Sequence, residues 1–520
     1  MKVKHIVISI LLTLSLSNIY ANNTAVNIEG ESYAQERSKA SKAEKATKAE
    51  KAQNDNKQAT KKGWTIVPSP SMAYDSDTGF QIGAMCDLSD YGDGTIYPGY
   101  KHRAFINCSW TTRNQIKLHF FYDSKYLIPK VRVTSVVTYI LSLMYPFKGF
   151  NGVAPYFDHL ESGRQQKHRL AMYDVQRDML RAIFDFQGNI YTNKFRWAAG
   201  ISYWWFRDQD LTLKKRGRLA YDSVVANDYL TSPEMGVHSP SLWRLYQRAG
   251  LINPDEIGGG HHIELKAGLV FDSREHEADP TRGIWAELYA YGSPDILNGR
   301  GKNGYHYLKL AARFRQYVPL MDDKIVFAYH LAYQGKLAGH APYYTLQNIN
   351  AIFLNQLISD GLGSITTIRG VPYNSVIGDG YAWANFEMRF KVLSLRFLGQ
   401  NFYLGTNPFF DLGACIQEYR LDKMIALRKQ HEIDKKRGVK TQFTDGEMNL
   451  IYTGNPMKLH LSVGIGFKVV MNRNFVLSAE FGIPLNTEIY SDTYLNVPAD
   501  KLTTKRSYSP GINIGMNYIF

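Results

Sequence analysis

The stretch TTIRGVPYNSVIGDGYAWANFEMRF, residues 366–390, decides the fold and contains the first candidate site. Its second half alternates between two kinds of side chain, which is the period of a β-strand with two different faces. One face carries Ala382, Ala384, Phe386, Met388 and Phe390, and the other carries Trp383, Asn385, Glu387, Arg389 and Lys391. Upstream, Arg369 lies in a loop that contains glycine and proline. Such an arginine either lies in solvent or folds inward, and folding inward requires carboxylate partners.

Segments with the same period of two recur along the chain from residue 63 onward. They predict sixteen strands, at residues 64–74, 78–88, 101–110, 115–122, 130–141, 181–191, 195–206, 262–272, 282–292, 305–317, 324–336, 381–391, 401–413, 458–471, 475–483 and 508–520. Short connections alternate with long loops over most of this region, as in barrels that face different compartments at their two ends. The first strands fit this alternation less well, because the turn at residues 75–77 is short although it falls on the side of the long loops.

These features together favour an all-β chain that forms one 16-stranded antiparallel transmembrane β-barrel. Strands of about ten residues and an even strand count are typical of such barrels. Aromatic residues make up 13% of the chain, with 35 Tyr and 26 Phe. Beyond residue 21 no apolar run approaches the roughly 20 residues that a membrane helix needs. A soluble β-sandwich also alternates, so alternation alone does not decide between the two.

The segments before the barrel indicate export. Residues 1–21 combine a basic start with a short apolar stretch, which predicts a cleaved signal peptide. Residues 22–62 contain the repeat SKAEKA, TKAEKA at residues 41–52 and have too few apolar residues for a packed core. They predict a short disordered or transiently helical periplasmic tether, which either acts as a spacer or docks to an acidic partner or to phosphate head groups. The barrel domain is then residues 63–520. The net charge of +14 does not indicate nucleic-acid binding in an exported chain.

Motifs for catalysis or metal binding lack supporting context, and we expect no enzymatic activity, cofactor or metal. His262 and Glu264 share one face of a predicted strand, but no third metal ligand has a defined spacing. Three cysteines cannot build a disulfide framework for a domain of this size. Cys86 and Cys108 fall in consecutive predicted strands, and either pair with each other or remain free thiols.

Several motifs resemble those of the BamA/TamA superfamily of outer-membrane barrels, the bacterial surface antigen family. Their residues are Asp272, Arg274, Pro280 and Gly283 in a turn motif, Ile368, Arg369 and Gly370 in a loop motif, and Asp411 in the segment FFDLG at residues 409–413. The end of the chain is similar to the family's C-terminal sorting signal, with Gly515, Tyr518 and Phe520. Together these motifs are more specific than any one of them.

The resemblance implies how the arginine is held. In this family the arginine of the sixth outer loop folds into the lumen and is bound by acidic residues of neighbouring strands. The matching positions here are Arg369, Glu387 and Asp411. Val371 departs from the aromatic residue that the family carries at the loop tip.

The resemblance also implies an imperfect seam between the first and last strands. Pro68 and Pro70 fall in the predicted first strand, and Pro510, Gly511 and Gly515 weaken the last one. One interpretation is a seam that is short of hydrogen bonds and able to open toward lipid. The other is that the prolines only end a lead-in before the strand begins.

Three functions remain in competition. A BamA/TamA-like barrel would aid the assembly or translocation of proteins or lipids, with outer-membrane lipids, client barrels and a delivery partner around it. Residues 22–62 are too few for the periplasmic receiving domains of such proteins, so a separate partner would deliver the clients. The alternatives are a passive or plugged channel, and a structural or surface scaffold without assembly activity.

Overall fold

The computed structural model describes residues 61–97, 99–152, 172–210, 241–277, 279–294, 305–321, 324–354, 361–397, 400–453, 459–472, 475–490, 504–507 and 510–515. The predicted signal peptide, most of the tether, and Tyr518 and Phe520 of the predicted sorting signal lie outside these residues. No helix in the described part of the chain is long and apolar enough to cross a membrane.

Sixteen antiparallel strands form a closed barrel, as the period-two pattern predicts. The barrel strands are β1 (Trp64–Asp75), β2 (Gly79–Asp90), β3 (His102–Thr111), β4 (Gln115–Ile128), β5 (Val131–Pro146), β6 (Asp174–Thr192), β7 (Phe195–Gln209), β8 (Gly260–Asp272), β9 (Gly283–Ser293), β10 (Tyr307–Met321), β11 (Ile325–Gly339), β12 (Gly380–Phe397), β13 (Gln400–Gln417), β14 (His460–Met471), β15 (Phe475–Pro484) and β18 (Gly511–Gly515). Strands β16 (Thr487–Tyr490) and β17 (Thr504–Ser507) pair with each other as a separate hairpin. Each barrel strand pairs with its neighbours in sequence, and β18 closes the ring against β1 and β15.

Successive side chains along each strand point alternately into the lumen and toward the outer surface. On β12, Trp383, Asn385, Glu387 and Arg389 are buried in the lumen. On β14, Val463, Ile465 and Phe467 are exposed on the outer surface, whereas Ser462 and Lys468 are buried. A polar lumen and an apolar outer band are the arrangement of a transmembrane barrel.

Several strands extend further than the sequence pattern predicted. Strand β12 continues to Phe397 instead of ending at Lys391, and β5 continues to Pro146. Strand β6 begins at Asp174 instead of Arg181. The extensions form because pairing with the adjacent strand satisfies the backbone even where the local alternation weakens.

The two ends of the barrel differ. We call the end with the connections 91–101, 129–130, 193–194, 273–282, 322–324, 398–399 and 472–474 the turn end, and the opposite end the loop end. Within the described residues, the loop end carries three α-helices that the sequence pattern did not predict: α1 (Leu242–Arg248), α2 (Leu421–Lys436) and α3 (Asp445–Ile451). Helix α3 begins at a capping box formed by Thr444 and Glu447.

Aromatic side chains fill the lumen at the loop end. The ring of Phe150 lies 5.7 Å from that of Phe147, 5.3 Å from that of Tyr246 and 4.8 Å from that of Tyr419. Tyr343 packs against the same group, and we call these five residues the aromatic cap. They join inward-facing strand residues in one continuous apolar core. This core occupies the space that an open channel would need at this end.

Candidate functional site in the barrel lumen

The segment between β11 and β12 spans residues 340–379, and we call it the lumen loop. Its described parts, residues 340–354 and 361–379, enter the barrel. Every residue from 341 to 354 is buried. Polar side chains on the wall bind its backbone: Arg181 donates to the carbonyl oxygen of Ala351 at 2.8 Å, and Lys266 donates to that of Ile352 at 2.8 Å. Glu287 accepts a hydrogen bond from the backbone N–H of Leu354 at 3.0 Å. The wall therefore satisfies backbone groups that would otherwise be buried without partners.

Arg369 lies further along the lumen loop and is bound by carboxylates from three strands. Its Nε and Nη2 each donate to a different oxygen of Asp411 at 2.8 Å, and its backbone N–H donates to the same carboxylate at 3.0 Å. Its Nη1 lies 2.5 Å from Glu387 and 3.5 Å from Glu480. The guanidinium carbon is 3.6 Å from the centroid of the Phe409 ring. This forked geometry uses the donors that distinguish arginine from lysine.

The charges in this cluster are almost completely removed from water. Arg369, Asp411 and Glu387 each expose no more than 2% of their surface. Burial alone would lower the pKa of the Arg369 guanidinium, but the surrounding carboxylates raise it well above its ordinary value. A buried ion cluster of this kind is costly to break from one side, because the remaining charges lose their compensation.

Glycines let the tip of the lumen loop approach the wall beside Arg369. Gly370 has φ +88°, a conformation that glycine adopts without a steric cost. A Cβ added to Gly482 would lie 2.7 Å from the carbonyl carbon of Arg369, and one added to Gly511 would lie 2.8 Å from the Cα of Gly370. Gly482 and Gly511 are paired residues of β15 and β18. The tip therefore lies directly against the last barrel strand.

The lumen loop also reaches the far side of the seam. Asp77, in the turn between β1 and β2, accepts a hydrogen bond from the backbone N–H of Tyr373 at 2.8 Å. Burial raises the pKa of Asp77, the nearby Asp75 carboxylate raises it further, and Lys148 acts in the opposite direction. The loop thus contacts β18 through Gly370 and the β1–β2 turn through Tyr373.

Few backbone pairs hold the seam in the described residues. Strands β1 and β18 share two paired positions, Tyr74 with Ile514 and Asp75 with Asn513, whereas β1 and β2 share twelve. The described part of β18 ends at Gly515. One further hydrogen bond, from the backbone N–H of Ser76 to the carbonyl oxygen of Ile512, measures 2.9 Å.

Both prolines lie within strand β1 and are aligned with residues of β2. The interpretation that they only end a lead-in is therefore wrong. The N–H groups of alternate strand residues point to opposite edges. The backbone N–H of Ser76 donates toward β18, and that of Gly63 donates toward the β2 side. The backbone N–H groups of even-numbered residues in β1 therefore point toward the seam. Pro68 and Pro70 consequently place two nitrogens that carry no hydrogen at the seam edge.

The family turn motif folds into the lumen from the turn end. Asp272 accepts a hydrogen bond from Nε of Arg274 at 3.0 Å, and the guanidinium of Arg274 stacks on Trp285 at 3.6 Å. Gly283 has φ +105°, and a Cβ there would lie 2.5 Å from the carbonyl oxygen of Ser273. The carbonyl oxygen of Pro280 accepts a hydrogen bond from Nη1 of Arg389 at 3.3 Å.

Asp279 in this turn contacts side chains of β13 and β14. Its carboxylate lies 2.5 Å from the hydroxyl of Tyr403 and 3.4 Å from Nζ of Lys468. Burial alone would raise the pKa of Asp279, but the Lys468 ammonium, the Tyr403 hydrogen bond and the charges of Arg389 and Lys391 hold it below its ordinary value. The turn is therefore held to β13 and β14 by charge and hydrogen bonding.

The structure brings some of the predicted site residues together and leaves others apart. Arg369, Gly370, Glu387 and Asp411 form one cluster, with Ile368 buried beside it. The turn motif is connected to this cluster through Arg389, whereas Gly515 pairs with Ser478 on β15. Sequence reasoning missed Glu480. It is the one acidic residue in β15, and it lies on the same face of the strand as the buried Ser478. Sequence reasoning also missed Asp77 and Asp279, because turn residues show no facial pattern.

Other residues considered from the sequence have structural partners. Glu264 accepts hydrogen bonds from Trp204 at 2.8 Å and Tyr307 at 2.5 Å. The described residues contain no group of three or more His, Cys, Asp or Glu side chains that could hold a metal ion. Cys86, Cys108 and Cys415 are free thiols, so the first two do not form a disulfide.

Comparisons with known proteins give one family match and several similar solved structures. The Omp85 superfamily domain matches residues 209–497. No curated protein matches the chain. A solved structure of BamA from Haemophilus ducreyi lacking POTRA domains 1-3 is 14% identical with a TM-score of 0.45, and the match covers 88% of this chain and 70% of that one.

Two further solved structures are CdiB proteins. CdiB from Escherichia coli is 10% identical with a TM-score of 0.46, and the match covers 86% of this chain and 62% of that one. CdiB from Acinetobacter baumannii is 11% identical with a TM-score of 0.39, and the match covers 89% of this chain and 61% of that one. The chain thus spans less than two thirds of either CdiB chain.

The match to the Omp85 superfamily domain covers more than half of the chain. It includes strands β8 to β15 and the whole lumen loop. The chain therefore belongs to the Omp85 superfamily and is a β-barrel of the Gram-negative outer membrane.

Proposed function

We propose that this barrel assists the insertion or translocation of other proteins at the outer membrane, through a seam between β1 and β18 that the lumen loop holds closed. The observation that carries the proposal is the seam edge of β1. Pro68 and Pro70 remove two donors from that edge. A seam that lacks hydrogen bonds opens at a lower cost than one with a complete ladder.

The contacts of the lumen loop support the same proposal. Gly370 lies against β18, and Tyr373 is bound to Asp77 at the end of β1. Arg369 anchors the loop between these two contacts and the wall. Separation of β1 from β18 would stretch the loop between its two contacts, so the cluster around Arg369 would set how readily the seam opens. In this proposal the turn end faces the periplasm and a separate partner delivers the clients.

A plugged barrel without assembly activity is the second candidate. It is favoured by the aromatic cap and by the complete burial of residues 341–354, which leave the loop end packed. A barrel that only passes solutes would have to move this whole core. A barrel that opens at the seam between β1 and β18 would not have to move this core. For this reason we prefer the seam proposal.

Depletion of the protein in its native cell tests the proposal. We expect a broad fall in other outer-membrane barrels, quantified by mass spectrometry. An Arg369→Ala variant expressed at the parental level should reproduce part of that fall. If the other barrels keep their abundance after depletion, the assembly function is wrong, and Arg369 stabilises a plugged barrel.

A reversible cross-link tests the seam itself. Tyr74 and Ile514 are paired across it, so Tyr74→Cys with Ile514→Cys should form a disulfide in a background without Cys86 and Cys108. We expect the cross-linked barrel to lose client assembly and to regain it after reduction. Normal assembly by a fully cross-linked barrel would rule out seam opening.

A further inference from the structure

Strand β12 has an edge at the turn end that faces no strand among the described residues. Pairing between β11 and β12 ends at Ile325 and Phe390, followed by one hydrogen bond from the N–H of Lys391 to the carbonyl oxygen of Lys324 at 2.9 Å. Strand β12 continues to Phe397, paired with β13 on its other side. Within the described residues, positions 393–395 therefore have one edge paired with β13 and one edge without a backbone partner, and Val392 lies in a bulge.

The side chains on this segment are apolar and exposed. Val392, Leu393, Leu395 and Phe397 expose 40 to 69% of their surface. Leu393 pairs with Leu404 and Leu395 with Phe402, so the outer surface of the hairpin is apolar beside the open edge. The segment thus combines open backbone groups with large apolar side chains.

Neither lipid hydrocarbon nor water favours both the unpaired backbone groups and the exposed apolar side chains of this segment. In hydrocarbon, the open N–H and C=O groups would have no hydrogen-bond partner. In water, the four apolar side chains would remain exposed as one patch. A strand added along the edge would satisfy both requirements, because it supplies backbone partners and covers the side chains.

Two other strands that pass beyond a neighbour at the turn end have features that block strand addition. Strand β10 passes beyond its pairing with β9 by four residues, which include Pro319. On β4, the hydroxyl of Ser124 accepts hydrogen bonds from the N–H groups of Tyr126 and Leu127 at 3.0 and 3.1 Å. Proline is a common way to protect an edge, and an N–H that is already satisfied locally cannot pair with an added strand. Residues 392–395, Val-Leu-Ser-Leu, contain no proline, and a bulge against β13 lies between Lys391 and Leu393.

We propose that the β12 edge at residues 392–395 is a docking site for one extended strand of a client polypeptide, with apolar side chains at alternate positions. That the strand comes from an outer-membrane client rests on the proposed function. The site lies at the turn end, where a client delivered from the periplasm would arrive. Strand addition binds through the backbone, so the site would accept many sequences with the same alternation.

Cross-linking in the purified full-length barrel tests the site. The probe is a synthetic peptide with the sequence of β15, FVLSAEFGIP, carrying an added terminal cysteine. The barrel carries Leu393→Cys in a background with Cys86→Ala and Cys108→Ala. The matched control is Leu331→Cys, an exposed outer residue of β11 that is paired on both sides. We expect at least about tenfold more disulfide formation at position 393 than at position 331, which corresponds to about 1.4 kcal/mol.

Two further measurements separate strand addition from apolar adhesion. A copy of the peptide methylated at every backbone nitrogen except that of proline keeps its side chains but has no N–H donor on either edge, so its cross-linking should fall to the level of the control. Hydrogen exchange of residues 392–395 should slow when the unmodified peptide is added. Equal cross-linking at both positions, equal cross-linking of the methylated peptide, or full protection of these amides without peptide would overturn the proposal.

A cellular experiment distinguishes this proposal from the function proposed above. The double variant Leu393→Lys, Leu395→Lys places charges along the edge and should leave the pairing with β13 intact. We expect it to bind the peptide poorly and to restore assembly only in part after depletion of the parent. If depletion impairs assembly and the variant restores it fully, only the docking site is wrong. If depletion has no effect while the peptide still binds, the assembly function is wrong and the site stands.

Discussion

Nη1 of Arg369 lies 2.5 Å from Oε1 of Glu387, deep inside the barrel. The second oxygen of Glu387 accepts a hydrogen bond from Arg389 at 3.2 Å, and Arg389 in turn donates to the carbonyl oxygen of Pro280 at 3.3 Å. One carboxylate therefore connects the lumen loop, which enters from the loop end, with the turn that enters from the turn end. Movement of either segment would disturb the partners of the other.

Replacing Arg369 with alanine should destabilise the barrel. The change leaves Asp411, Glu387 and Glu480 buried beside one another without their shared cation. We expect a loss of about 3–5 kcal/mol in the free energy of unfolding, the usual cost of breaking a buried ion pair from one side. Urea unfolding followed by tryptophan fluorescence measures it. Arg437→Ala, at the exposed end of α2, is the control, and an equal midpoint for both variants would contradict a stabilising role for Arg369.

A side chain at Gly482 should displace the lumen loop. The Cβ of a Gly482→Val variant would meet backbone atoms of Arg369 and Gly370 at 2.7 Å, and backbone atoms have little freedom to move away. We expect faster hydrogen exchange across residues 361–379, with the strands still protected. Gly258→Ala is the matched control, because a Cβ there meets nothing within 4 Å. Unchanged exchange in the Gly482 variant would show that the loop does not depend on this contact.

Acid should weaken the turn that carries Asp279. The folded state holds the pKa of this carboxyl group below its ordinary value, through Lys468, Tyr403, Arg389 and Lys391 acting against burial. Its contribution to stability is therefore complete above the unfolded pKa of about 3.9 and is lost as the pH falls through the folded value. Asp279→Asn should lower the free energy of unfolding by about 1–3 kcal/mol at pH 7 and flatten its dependence on pH in the acid range.

Urea unfolding between pH 2.5 and pH 7, roughly the range that spans the titration of a carboxyl group, measures this effect. The control is Asp422→Asn, an exposed residue in the first turn of α2. The idea fails if the Asp279 variant and the parent lose stability in parallel as the pH falls.

Removing the prolines of β1 should close the seam. Pro68→Val with Pro70→Thr restores two N–H donors at the edge that faces β18. We expect slower hydrogen exchange in β1, a gain of about 1–3 kcal/mol in the free energy of unfolding, and reduced assembly of client barrels. Ser69→Thr, whose N–H faces β2, is the control. A stabilised barrel with full assembly activity would separate seam strength from function.

The sequence by itself determined the barrel and the faces of its strands. Alternation is a local property, so Trp383, Glu387 and Arg389 could be assigned to one face without knowledge of any partner. The match to family motifs also paired Arg369 with Glu387 and Asp411, and the structure places these three side chains in contact. The prolines of β1 were visible in the sequence, but the seam was implied only by the family resemblance, and a lead-in before the strand remained an alternative.

Only the tertiary structure decided which distant groups meet. Glu480 joins Arg369 from a strand 111 residues away, and Asp77 binds a backbone group 296 residues away. The extension of β12 to Phe397 and its open edge depend on the stagger between β11 and β12. No local pattern encodes these relations, because they depend on the register and closure of the whole ring of strands. Register and closure are set by the sum of cross-strand contacts and not by any single segment.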